Sequence, residues 1–118
     1  MGVGMPQDLK LHEFGSKVWD AFGGPPYHVG SSLLEKLWRD VDVRMILDDE
    51  EYERMGFGDP ERPHDNPKWI SYCLAWSALG HEMTGLPIDF QIQQRTYANK
   101  EFPGNRSALG IVPLRRRG

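Results

Sequence analysis

A chain of 118 residues with 39% apolar and 26% charged side chains is long enough for one modest core, too short for two domains, and holds no apolar run of the ~18 residues that a membrane-spanning helix needs. The net charge of −3 hides an asymmetry: residues 1–93 carry 16 acidic and 8 basic side chains, whereas residues 94–118 carry six basic ones and Glu101. The single cysteine, Cys73, excludes an intrachain disulfide, and the first ten residues lack the basic start and apolar block of a signal peptide, so a reducing, cytoplasmic setting is expected.

Along the chain, Leu11, Phe14, Val18 and Phe22 recur at helical spacing between Gln7 and Phe22, and Gly23-Gly24-Pro25-Pro26 stops that helix. Tyr27 to Val29 reads as a short strand ending at Gly30. In DVDVRMIL, Val41, Val43, Met45 and Leu47 alternate with Asp40, Asp42, Arg44 and Ile46, the period-two pattern of a strand with one apolar and one charged face. DDEEYERM, at 48–55, reads as a short acidic helix, and the Gly- and Pro-rich stretch 56–65 as a loop. Asn66-Pro67 then opens the strongest helix: a cap residue, Pro at the first position, and apolar side chains almost all round until Gly85. Such a helix must be buried on more than one side. Finally, IDFQIQQ puts Ile88, Phe90 and Ile92 on one face and Asp89, Gln91 and Gln93 on the other.

This order describes an α+β fold, a small mixed β-sheet with helices packed on its apolar face and the carboxylate face left open. The expected organisation is a core over 1–93 and a basic C-terminal extension over 94–118, ordered in part across the open face. The basic end, with Arg115, Arg116 and Arg117, is suited either to attracting polyanions or simply to solvation.

Residues two apart on a strand project to one side with Cα atoms roughly 6.5–7 Å apart, so Asp40 and Asp42 share a face. If the strand bearing Asp89 lies beside theirs, three carboxylates meet. Crowded carboxylates repel and raise one another's pKa unless a cation sits among them. Hard oxygen ligands suit Mg²⁺, which completes its shell with water and substrate phosphates, and two such ions about 3.5–4 Å apart stabilise both oxygens of an in-line phosphoryl displacement. Gly30-Ser31 offers the complementary part: backbone that approaches a phosphate closely, amides, and a hydroxyl, with Ser32 adding a second.

The string V-G-S, a spacer, D-V-D-V and then I-D-F on a later strand resembles the signature of the DNA polymerase β-like nucleotidyltransferase superfamily, over residues 27–93. The resemblance implies a glycine-serine turn, Gly30 and Ser31, that holds a nucleoside triphosphate. It also implies that Asp40, Asp42 and Asp89 bind two Mg²⁺ ions (with Mn²⁺ as a substitute) and that Asp89 helps to activate an acceptor hydroxyl. The spacer is slightly shorter than the family's and reads LLEKLW where many members carry an arginine- and glycine-rich turn. The chain is most similar to minimal, single-domain members, which lack the helical domain that holds base and acceptor and often work beside a partner protein or second subunit, some as antitoxins.

Other residues have plain structural readings beside functional ones. Arg44 shares the acidic face and is placed either to neutralise a triphosphate or to pair with a neighbouring acid. His28 is either a partly buried strand histidine or a phosphate contact, and His81 a packing or capping residue. Trp69, Tyr72, Trp76 and Met83 read as core or an oligomer face, and Arg106 or Lys100 as phosphate contacts or solvated cations. The leading expectation is transfer of a nucleoside monophosphate from a nucleoside triphosphate to an acceptor hydroxyl, in a nucleic-acid end, small molecule or protein, with release of pyrophosphate. The alternative is a non-catalytic, antitoxin-like module that binds a nucleotide or partner on the same scaffold. An unrelated interaction protein, with incidental acids, is the third reading.

Overall fold

The computed structural model describes residues 5–29 and 40–110. In chain order the elements are helix α1 (Met5–Phe22), strands β1 (Tyr27–Val29) and β2 (Val41–Leu47), helix α2 (Asp49–Arg54), one 3-10 turn (Pro63–Asp65), helix α3 (Pro67–Thr84), strand β3 (Ile88–Gln94), helix α4 (Arg95–Glu101) and strand β4 (Arg106–Ala108). The strands form one mixed sheet in the order β3-β2-β1-β4. β1 is antiparallel to both β2 and β4, whereas β2 and β3 run parallel. A parallel pair needs a long crossover, and residues 48–87, containing α2 and α3, supply it.

Alternation in β2 and β3 decides which side is covered. Val41, Val43, Met45, Phe90 and Ile92 are buried, while Asp42, Arg44, Asp89 and Gln91 are only half-buried. Helices α1 and α3 lie against the apolar side. Phe14 of α1 meets Phe90 edge-on at 6.1 Å, and Trp76 of α3 packs on Phe90 at 5.8 Å and on Phe22 at 5.7 Å. A second aromatic group, Tyr52–Phe57–Tyr72, fastens the crossover, with ring separations of 5.3 and 5.4 Å. Trp69 is buried, and Tyr72, Trp76 and Met83 are partly buried against the core. His28 faces α1 from β1, and burial lowers its pKa. Among the described residues, no helix is long and apolar enough to cross a membrane.

Helix α3 is bounded as its sequence dictates. The Asn66 side chain accepts from the Trp69 amide at 2.9 Å, Pro67 occupies the first turn, and Gly85 ends the helix in the left-handed region (φ 75°) with its N–H on the His81 carbonyl. His81 Nδ1 lies 2.9 Å from the Leu86 carbonyl oxygen, just past the helix end. The same helix protects the outer edge of β3. The Phe90 amide donates to Ser77 Oγ at 2.9 Å, and Trp69 Nε1 donates to the Ile92 carbonyl at 2.8 Å. An edge strand with satisfied backbone groups is a poor template for another chain.

The segment after residue 94 contributes more order than its composition suggests. It forms α4 and then β4, a strand that local periodicity does not reveal. Leu109 follows β4 into the core, its amide bonded to the Pro26 carbonyl at 2.9 Å. It seats directly on Gly15 of α1, where an added Cβ would lie 2.5 Å from Leu109 Cβ and 2.8 Å from its backbone carbon. Gly110 (φ 143°) lies equally close to the Trp19 ring and donates its N–H to His12 Nδ1 at 3.1 Å. Gly15→Ala is therefore expected to destabilise the protein by about 1–3 kcal/mol through overpacking, despite a gain of about 1 kcal/mol in helix propensity. The comparison in denaturant melts is Gly24→Ala, whose Cβ would meet nothing within 4 Å and which is expected to stay within about 0.5 kcal/mol of the parent.

Candidate active site

The open face of the sheet is organised by register. Arg106, Val29, Asp42 and Asp89 are successive partners across β4, β1, β2 and β3. Two residues along the strands, Ala108, Tyr27, Arg44 and Gln91 form the next row on this face. Directly opposed residues share a face, so Asp42 and Asp89 stand side by side on the uncovered surface with Arg106 at the far end of their row.

Arg44 lies between the two acids. Its Nη2 is 3.7 Å from Asp42 Oδ1 and 3.6 Å from Asp89 Oδ2, while Nη1 donates to the Asp89 carbonyl at 2.7 Å and the Val43 carbonyl at 3.1 Å. Backbone bonds thus hold the guanidinium as a counter-ion shared by both carboxylates. Those ion-pair distances are too long for good hydrogen bonds, yet the guanidinium charge acts more strongly on Asp42 than the charge of either neighbouring acid does. The Asp42 pKa is raised, first by burial, with the neighbouring charge and hydrogen bond of Asp89 and the charge of Asp40 adding to the shift and Arg44 opposing it.

Beside the acids is a cavity of about 630 Å³. Asp42, Arg44, Ile46, Gln91 and Gln93 line its floor, and Phe102, Gly104, Asn105 and Arg106 form a wall from the α4–β4 connection. Arg106 is tied to that connection: its guanidinium donates to Asn99 Oδ1 at 3.0 Å and to the Phe102 carbonyl at 3.1 Å. Helix α4 is anchored in turn at its start, where the Thr96 amide donates to Asp49 Oδ1 at 3.1 Å and the Thr96 hydroxyl to Asp49 Oδ2, bonds that hold the Asp49 pKa below its ordinary value.

Of the expected site residues, the structure brings together Asp42, Asp89 and Arg44, and places Arg106 on the same cavity. Asp40 lies just before β2, beside Val41, whose amide donates to the Pro87 carbonyl at 2.7 Å, and it is exposed. Among the described residues, no group of three His, Cys, Asp or Glu side chains converges into a metal site. Gly30, Ser31 and Ser32 lie outside the described residues. Two carboxylates from neighbouring strands meet with Arg44 between them, and the charge of Asp40 also acts on Asp42. Gln91 and Gln93 appear in the sequence on the same polar alternation as Asp89. The Phe102–Asn105 wall has no local signal, because the pairing of β4 with β1 brings it there.

Two outcomes follow. A raised folded-state pKa means that the protonated Asp42 carboxyl favours the fold. Its contribution is complete below the ordinary carboxylate range and is lost as pH rises through the elevated folded value. Metal-free Asp42→Asn should therefore be as stable as the parent or more so at pH 7, with the difference closing as pH falls through that range; thermal melts across pH check it. A marked loss at pH 7 would instead make Asp42 a structural hydrogen-bonding residue. Arg44→Gln should act oppositely, destabilising the metal-free protein by about 1–3 kcal/mol, with added Mg²⁺ restoring more stability to the variant than to the parent.

Comparison of this chain with protein-family models, with curated proteins and with solved structures finds no match.

Proposed function

We propose that the protein is a Mg²⁺-dependent nucleotidyltransferase, acting on a nucleoside triphosphate and an acceptor hydroxyl in the cytoplasm. The observation that carries this reading is the register partnership of Asp42 and Asp89 on the one open face of the sheet, beside a cavity that two arginines enter. Two acids held side by side around one arginine, beside a cavity, are a starting point for hard-cation and phosphate chemistry.

In the proposed reaction the acceptor oxygen attacks the α-phosphorus, the bond from that phosphorus to the bridging oxygen of the β-phosphate breaks, and pyrophosphate leaves. Asp42 and Asp89, with Asp40 at the strand entrance, would hold the divalent cations, which supply charge neutralisation at the attacking and leaving oxygens when bound. Asp89, the most exposed of the pair at 40%, orients the acceptor and takes up the hydroxyl proton. Arg44 turns from the carboxylates towards the phosphates, and Arg106 faces them from across the cavity. Gly30, Ser31 and Ser32 cradle the remaining phosphate oxygens. Positioning and electrostatic stabilisation then account for most of the acceleration. A partner protein or second copy completes the acceptor site.

The second reading is a nucleotide- or partner-binding module without turnover. It draws on Arg44 standing between the acids and on the lack of a three-ligand cluster among the described residues. Thermal unfolding with Mg²⁺ and each nucleoside triphosphate tests both, because a ligand at 100 times its dissociation constant stabilises the native state by about 2.7 kcal/mol. Pyrophosphate release on adding acceptor mixtures separates enzyme from binder, and Asp89→Asn is expected to reduce that release by at least ~100-fold without loss of the fold. No stabilisation by any triphosphate would sink both readings.

A further inference from the structure

The cavity changes character along the strands. Asp42 and Arg106 lie in the carboxylate row with Asn105 next to Arg106, Arg44 and Gln91 share the next row, Ile46 and Gln93 the row beyond, and Phe102 lines the wall. Two strand residues advance the chain by roughly 6.6–6.8 Å, so Gln93 lies about 13 Å along β3 from Asp89. A nucleoside 5′-phosphate reaches over a comparable span from its phosphorus to the far edge of its base. The volume of about 630 Å³ is also in the range of small-molecule sites.

Three features of the lining select a ligand class. Ile46, on the polar side of β2, lines the floor with an apolar side chain that is almost fully buried. Phe102 lines the cavity yet remains 52% exposed, its ring edge-on to Tyr97 at 5.7 Å, so a large apolar surface is left facing the opening. The Gln93 and Asn105 amides make no hydrogen bond among the described residues, and Gln91 reaches Asp89 only at 3.5 Å. Each amide offers both donors and an acceptor. A purely apolar ligand would desolvate these amides without pairing them, and a simple anion would use only their donors. A flat ring that stacks on an aromatic face and carries donors and acceptors on its edge uses all three features.

We infer that the cavity beyond the carboxylate row is a nucleobase subsite, in which Phe102 stacks on the base and Gln91 and Gln93 read its edge. The inference rests on the nucleotidyltransferase reading and deepens it by assigning base selectivity to β3 and the α4–β4 connection. The base belongs either to the donor triphosphate or to a nucleotide acceptor, and the test separates the two.

Dissociation constants are measured by calorimetry with Mg²⁺ for α,β-methylene triphosphate analogues of the four nucleosides, for inorganic tripolyphosphate and for short single-stranded oligonucleotides. The full-length parent is compared with Gln93→Leu at a half-buried position and Phe102→Ala and Asn105→Ala at exposed ones, with unfolding midpoints measured alongside. Gln93→Leu is expected to weaken the preferred base about ten-fold and to level the preference. Phe102→Ala should weaken every base by about ten-fold, with tripolyphosphate affinity unchanged in both variants. These losses in the analogue arm assign the base to the donor, and in the oligonucleotide arm to the acceptor. Analogues that bind parent and all three variants equally overturn the subsite and leave the nucleotidyltransferase reading intact. If neither tripolyphosphate, analogues nor oligonucleotides bind the parent, both are overturned.

Discussion

The parallel pairing of β2 with β3 is the constraint on which the site depends. In-register parallel strands place like positions side by side, and here that puts Asp42 next to Asp89. Moving either strand by one residue would exchange its polar and apolar faces, burying an acid against the helices and exposing Val43 or Phe90. The core therefore enforces the acidic contact. Arg44, one turn of the alternation further on, limits the resulting repulsion while remaining tied to the backbone of β2 and β3.

The apolar side of the sheet makes that arrangement durable. Helix α3 packs on β3 and also satisfies its free edge through Ser77 and Trp69. Helix α1 reaches the opposite end of the sheet, where Leu109 sits on Gly15. Side chains that hold the fold and side chains that line the cavity thus occupy opposite faces of the same strands, so the polar face is free to carry groups that a core would reject.

Residues 95–108 connect the two roles. Asp49 holds the start of α4, Arg106 holds its end, and β4 adds a fourth strand beside β1. The connection between them becomes the cavity wall. A segment whose composition reads as a basic tail is in this way part of the sheet and of the proposed nucleotide site.

Much of this was legible in order along the chain. Period-two alternation identifies β2 and β3 and assigns Asp42, Arg44, Asp89, Gln91 and Gln93 to one face, and Asn66, Pro67 and Gly85 mark the limits of α3. These features are local: side-chain direction, capping and left-handed backbone depend on a few adjacent residues. Strand partnership, by contrast, depends on which distant segments bury apolar surface together. Only the tertiary structure therefore decided that Asp42 opposes Asp89, that Arg44 lies between them, and that Arg106 and Phe102 face the same cavity. The three-residue strand β4 was illegible for the same reason, since it is held by its pairing with β1 and by the burial of Leu109 rather than by any pattern of its own.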